Sequence, residues 1–273
     1  MSDQDLKVAS DHHEEMLDRV KTTGAISLSP ELFEQLYLAP KNRGVNEQLR
    51  HTFGNPAPIA LGGFLLCATP LSMILLEWQG AGGFGGGANV GSYFFLGGLL
   101  VLLGGIGEWI LGNTFPATVF ICFGGFWLTF GATIVPGYGA YALYSTSGIG
   151  AEGLEESQFY ATFSFFLVAM TLLCAVFTVA SIRTNVVLFT LLLLLVPTFA
   201  CLSGSFFAVA QGLTMKAQTL QHVGAGLLFA VSLLGWYIFV SLILSSVEFP
   251  FMLPLGDLST VIPPRRKEES RKQ

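Results

Sequence analysis

"NPAPIALGGFLLCATPLSMILL", Asn55 to Leu76, opens on an asparagine and two prolines and continues as an apolar run without a charged side chain. Such a run is long enough to cross about 30 Å of hydrocarbon as a helix. Proline suits the first turn, where its missing N–H would have been unpaired, and Asn is a strong cap for the amides that remain. Asn55 as cap, with Pro56 and Pro58 in the first turn, therefore describes a helix that begins sharply at a membrane boundary.

The composition around it agrees. Of 273 residues 52% are hydrophobic and 11% charged, and the mean hydropathy is +0.63, which excludes a soluble domain with a solvated surface. Six runs have spanning length, at 58–76, 90–110, 115–135, 159–180, 186–207 and 223–244. They predict an all-α integral membrane protein with six transmembrane helices and both termini on one side. Lys7, Arg19, Lys21, Lys41, Arg43, Arg50, Arg183, Arg265, Arg266, Lys267, Arg271 and Lys272 all fall on that side, and only Lys216 falls opposite. Short basic loops stay cytoplasmic, so both termini are expected in the cytoplasm.

Three regions follow: a flexible cytoplasmic tail at 1–53, a six-span domain at 54–249, and a basic cytoplasmic tail at 250–273 near anionic lipid. The first fifty residues are polar and mixed in charge, unlike a secretory signal, so the first span itself is expected to direct insertion. Cys67, Cys122, Cys174 and Cys201 lie in spans at no metal-ligand spacing and are expected as free thiols. No metal, cofactor or nucleic-acid partner is expected.

"GAGGFGG", Gly80 to Gly86, matches a nucleotide-binding fingerprint in letters, but that pattern has meaning only between a strand and a helix of a soluble fold. Here it reads as a flexible loop between spans. Gly91, Gly98 and Gly105, Gly97 and Gly104, and Gly124 and Gly131 recur every seven residues, which aligns each set on one helix face for close packing. A glycine face that widens a conduit is the competing reading.

The opening punctuation returns. Gly112-Asn113-Thr114-Phe115-Pro116 precedes the third span and Asn185 the fifth, so all three odd spans begin with Asn, suggesting three related helical hairpins around a central pore. Phe64, Phe123 and Leu195 lie nine or ten residues beyond those asparagines. At about 1.5 Å per residue that is some 15 Å deep, the bilayer midplane. Three apolar side chains at one depth would close a narrow path by excluding water. Apolar side chains at mid-depth also pack against neighbours or lipid, and spacing alone does not separate the two. The three helix starts carry partial positive charge and would offer a shallow vestibule to a carboxylate, unless their amides are capped.

Glu108 is the one acidic residue inside a span, either a functional intramembrane carboxylate or an interfacial group anchored beside Trp109. Glu77 and His222 read as interfacial. Ser203, Ser205 and His222 are the only serine-hydrolase candidates; no nucleophile-elbow pattern surrounds either serine, and no enzyme is expected.

"NPAPIALGGF" (Asn55 to Phe64), "GNTF" (Gly112 to Phe115) after Glu108, and "GGFWLTFGA" (Gly124 to Ala132) resemble the acetate uptake transporter family of fungi and bacteria, which includes the succinate/acetate permeases. The resemblance implies a six-helix protomer assembled as a hexamer. It implies carriage of acetate and related short monocarboxylates across the plasma membrane, with proton linkage; ammonia has also been suggested for fungal members. The family signature falls on Asn55, Pro56 and Pro58, and its central constriction on Phe64, Phe123 and Leu195, with Phe123 where a tyrosine is typical. The long charged N-terminal tail looks like the fungal members. An ammonia or other small-solute exporter or channel, and an acid sensor with a vestigial pore, are the alternatives.

Overall fold

The computed structural model describes Leu49 and residues 52–258. Apart from Leu49, Thr52 and Phe53, the expected N-terminal tail lies outside the described residues, as do the basic side chains beyond Leu258. The described chain is almost wholly helical, with six helices long and apolar enough to span a membrane. We label them α1 (Ala57–Leu75), α2 (Val90–Ser92, continued by Tyr93–Leu100 and Val101–Ile110), α3 (Thr114–Ile134), α4 (Ser157–Ser181), α5 (Val186–Ala210) and α6 (Thr214–Ser246).

Five of these starts lie within about two residues of the hydropathy reading. The exception is α6, which starts at Thr214 rather than 223. Its 33 residues extend about 50 Å, longer than the hydrocarbon is thick, so the first turns carry polar Lys216, Gln218 and His222. Lys216 is thus a helical residue and not a loop residue. Within α2, Tyr93–Leu100 is wound as a π-helix, a wider coil that no sequence period announced.

The helices close into a ring. α2 packs on α1 and α3, α6 on α1 and α5, and α5 on α4. α3 and α4 meet instead through side chains: Phe115 and Phe123 against Phe177, Phe126 against Phe166, and Phe130 against Phe163, with centroids 6.0–6.5 Å apart. Exposed apolar side chains such as Phe95, Leu172 and Val179 cover the outside, as a hydrocarbon solvent requires.

Of the glycine repeats of α2, Gly97, Gly98, Gly104 and Gly105 are packing positions, whereas Gly91 meets nothing. A Cβ at Gly104 would stand 2.6 Å from the Ala60 methyl of α1, and one at Gly105 would stand 2.8 Å from Ile121 Cγ1 of α3. A Cβ at Gly97 would meet both neighbours, 2.6 Å from Trp127 and 2.8 Å from Cys67 Sγ. The four cysteines are free thiols.

Two connecting segments are more built than their composition suggested. In the α1–α2 connection the Tyr93 hydroxyl donates to Gly85 O (3.0 Å), and Phe84 packs on Phe159 and Tyr160. Gly85 and Gly86 hold φ of +60° and +65°, which a residue with a Cβ rarely adopts. Beyond α6 the chain turns back as a strap, residues 253–258, whose Leu255 is buried against the helices. Tyr237 Oη and Ser241 Oγ of α6 donate to Pro254 O and Leu253 O.

Candidate functional site: buried rings between capped helix starts and a cavity

Each odd helix brings one of the expected mid-depth residues inward. Phe64 of α1, Phe123 of α3 and Leu195 of α5 are all buried. Phe64 and Phe123 meet edge to face with centroids 6.1 Å apart, a favoured aromatic geometry. From α5 the ring that reaches Phe123 is Phe199, stacked at 6.5 Å one turn beyond Leu195, and Phe199 also meets Phe126 edge to face at 5.3 Å. Phe126 and Phe199 are neighbours of these candidates that counting from the asparagines misses. Their i+3 and i+4 offsets from Phe123 and Leu195 place them on the same helix faces.

At the end where α1, α3 and α5 start, the free amides are consumed, and each asparagine works differently. The Asn55 side chain accepts from Ala57 N at 2.9 Å; Pro56 is the cap position, and Pro56 and Pro58 carry no N–H. Asn185 is a true cap, accepting from Leu188 N at 2.8 Å, while the strap supplies Gly256 O and Leu255 O to Val186 N and Val187 N. Asn113 holds the cap position of α3 but gives no side-chain cap. Its amide turns back to Glu108 Oε2 at 2.6 Å, and its backbone N–H donates to Glu108 O at 2.8 Å. Thr114 at the first position of α3 is exposed. Of these three starts only Phe115 N–H finds no such partner among the described residues. The anion vestibule that bare helix starts would make is therefore replaced by capping from within the chain.

Glu108 is buried, 1% exposed, while Trp109 beside it is 67% exposed. The tryptophan faces the surroundings and the carboxylate faces the protein.

The opposite end is open. A cavity of about 350 Å³ lies between the far ends of α1, α3, α4 and α5 and the α1–α2 connection, and Phe126 and Phe199 contribute to its wall. The wall is mostly apolar, with Tyr160, Ser205, Gln221 and Glu77 as its polar side chains. Ser205 Oγ donates to Ala217 O, Ser203 Oγ to Ser164 O, and His222 lies beside Glu77, so no serine is paired with the histidine. Among the described residues no cluster of His, Cys, Asp or Glu is arranged to hold a metal ion.

The chain is 40% identical to protein alcS of Aspergillus fumigatus over 86% of both chains. It is 32% identical to ammonia transport outward protein 2 of Saccharomyces cerevisiae, over 84% of this chain and 78% of that one. The acetate transporter protein patA of Aspergillus clavatus is 31% identical over 76% of this chain and 79% of its own. Among solved structures the bacterial acetate channel SatP superposes with a TM-score of 0.53 at 21% identity, covering 75% of this chain and 99% of that one, which is a likeness of fold. Residues 38–260 match the GPR1/FUN34/yaaH family, to which this six-helix membrane chain belongs.

Proposed function

We propose that the protein is a plasma-membrane transporter of acetate and related short monocarboxylates, which cross through the neck formed by Phe64, Phe123 and Leu195. The observation that carries this reading is the junction of an open cavity with buried rings from all three odd helices. Relatives named as acetate transporters support the substrate class. The positive charge bias puts both termini, and the capped helix starts, in the cytoplasm; the cavity then opens outward.

The chemistry of the path favours the neutral acid as the species that crosses. The cavity wall among the described residues has no cation, and the inner helix starts have almost no amide left to offer an anion. An unpaired carboxylate in an apolar neck is far more costly than its protonated form. Proton-linked uptake follows from that, with no covalent step and no enzyme chemistry. A homo-oligomer, a hexamer by family resemblance, fits the apolar exterior.

Uptake of labelled acetate by the purified protein in liposomes, with and without an imposed proton gradient, tests the reading. Saturable uptake, competed by propionate and raised by the gradient, is expected. Phe64→Ala should widen the neck and relax size selection, and unchanged discrimination between acetate and larger acids in a folded variant would count against the neck. If the native chain is silent and Phe123→Tyr restores flux, the sensor reading replaces transport. Ammonia release is the second reading, favoured by relatives named for it and by a cavity whose one charge is negative.

A further inference from the structure

Glu77 is the one charged side chain on the cavity wall among the described residues. It stands just past the end of α1 in a left-handed backbone, φ +60° and ψ +27°, rare for a residue with a Cβ. That turn is held by Glu77 N donating to Ile74 O (2.9 Å) and by Gly80 N donating to Glu77 O (3.3 Å). The neighbouring helix is tied to the same point: Gln221 Nε2 of α6 donates to Leu75 O at 3.0 Å. This tie brings His222, the next residue, to 3.9 Å from Glu77 Oε2 through its Nε2. That nitrogen is itself out of solvent and makes no hydrogen bond.

Other charges and titratable groups here are few. On its own helix, Lys216 is exposed six positions earlier. From α5 the Cys201 Cβ lies beside Gly224 of α6. The α1–α2 connection adds none beyond Glu77, and Glu152, Glu155 and Glu156 of the α3–α4 connection make no ion pair with His222.

We infer that Glu77 and His222 form a proton-operated charge filter at the outer mouth of the pathway, an inference that rests on the transport reading above. Histidine is the side chain that changes charge between about pH 5 and 8. With His222 neutral the rim bears an uncompensated carboxylate, which turns carboxylate anions away and leaves entry to the neutral acid. With His222 protonated the two charges cancel and the rim no longer discriminates. In water, like unit charges about 6–8 Å apart change a local concentration about two- to threefold, which sets the expected effect.

The full-length chain in liposomes, given labelled acetate at external pH 5.5 and 7.5, tests this. Glu77→Gln should raise uptake about two- to threefold at pH 7.5, where the repelling carboxylate is lost, and by a similar factor at pH 5.5, where protonated His222 is left uncompensated. His222→Gln should lower uptake at pH 5.5 by a similar factor, and Glu77→Asp should keep the native pH profile. Thermal midpoints of the native protein, both single variants and the double variant, at pH 5.5 and 8, give a readout that needs no transport. Coupling at pH 5.5 that vanishes at pH 8 is expected. Absence of coupling overturns the pair, and coupling with identical uptake profiles overturns the filter. Coupling in a protein that carries no acetate leaves the pair standing and removes the transport reading.

Discussion

The two sides of α3 are built on opposite plans. Toward α2 most of the contact is made by glycines: Gly98 against Leu128, Gly105 against Ile121, Gly124 against Leu102 and Gly131 against Phe94, with Tyr93 adding a ring on Trp127 and Phe130 at one end. Toward α4 the contact is made by rings, and the backbones stand apart. Backbone against side chain at glycine distance leaves no slack, because any added atom collides. Rings that touch at 6 Å or so can rotate past one another, and the cavity lies on their side. A rigid half carrying an adjustable half is a reasonable frame for a path whose aperture must change as a solute passes.

The largest break in this comparison is expected on the rigid side. Gly105→Val should cost at or above the upper end of the about 1–3 kcal/mol typical of overpacking, because the new atoms meet Ile121 Cγ1 at 2.8 Å and its backbone N at 3.0 Å. Denaturation midpoints in detergent would show it, and a near-native midpoint would mean that the α2–α3 seam yields. On the ring side, Phe163→Ala should cost less than the about 3–5 kcal/mol usual for a core phenylalanine, since its neighbours already border open space. Its larger effect should appear in transport, as improved entry of bulkier acids. The smallest and sharpest contrast lies between adjacent glycines. Gly124→Ala should destabilise, meeting Leu102 at 2.7 Å, whereas Gly125→Ala enters open space and should stabilise by up to about 1 kcal/mol through helix propensity. Equal midpoints for the two would erase the distinction between the faces.

Much of this was legible in the chain because hydrocarbon imposes simple demands. Length and hydropathy locate the spans, and the seven-residue glycine spacing marks the faces where helices approach. The start of α6 was hidden because its first turns are polar: that helix outreaches the apolar layer, so hydropathy underestimates it. The three asparagines looked equivalent because capping is read from residue type alone, yet Asn113 finds a better partner in the carboxylate of Glu108 than in its own helix. Phe199 escapes because counting depth from a helix start picks a single position, while a cluster of rings is made by a helix face. The Glu77–His222 contact joins residues far apart in the chain through a left-handed turn, and no local pattern encodes it.

The strap at the start of α5 has a consequence for how the protein is made. Val186 and Val187 donate hydrogen bonds to the carbonyls of Gly256 and Leu255, which lie beyond the whole of α6 in the chain. Translation therefore delivers α5 well before the carbonyls that complete its first turn. Until residues 253–258 emerge and fold back, a nascent chain holds a fifth helix whose opening amides are still unfinished.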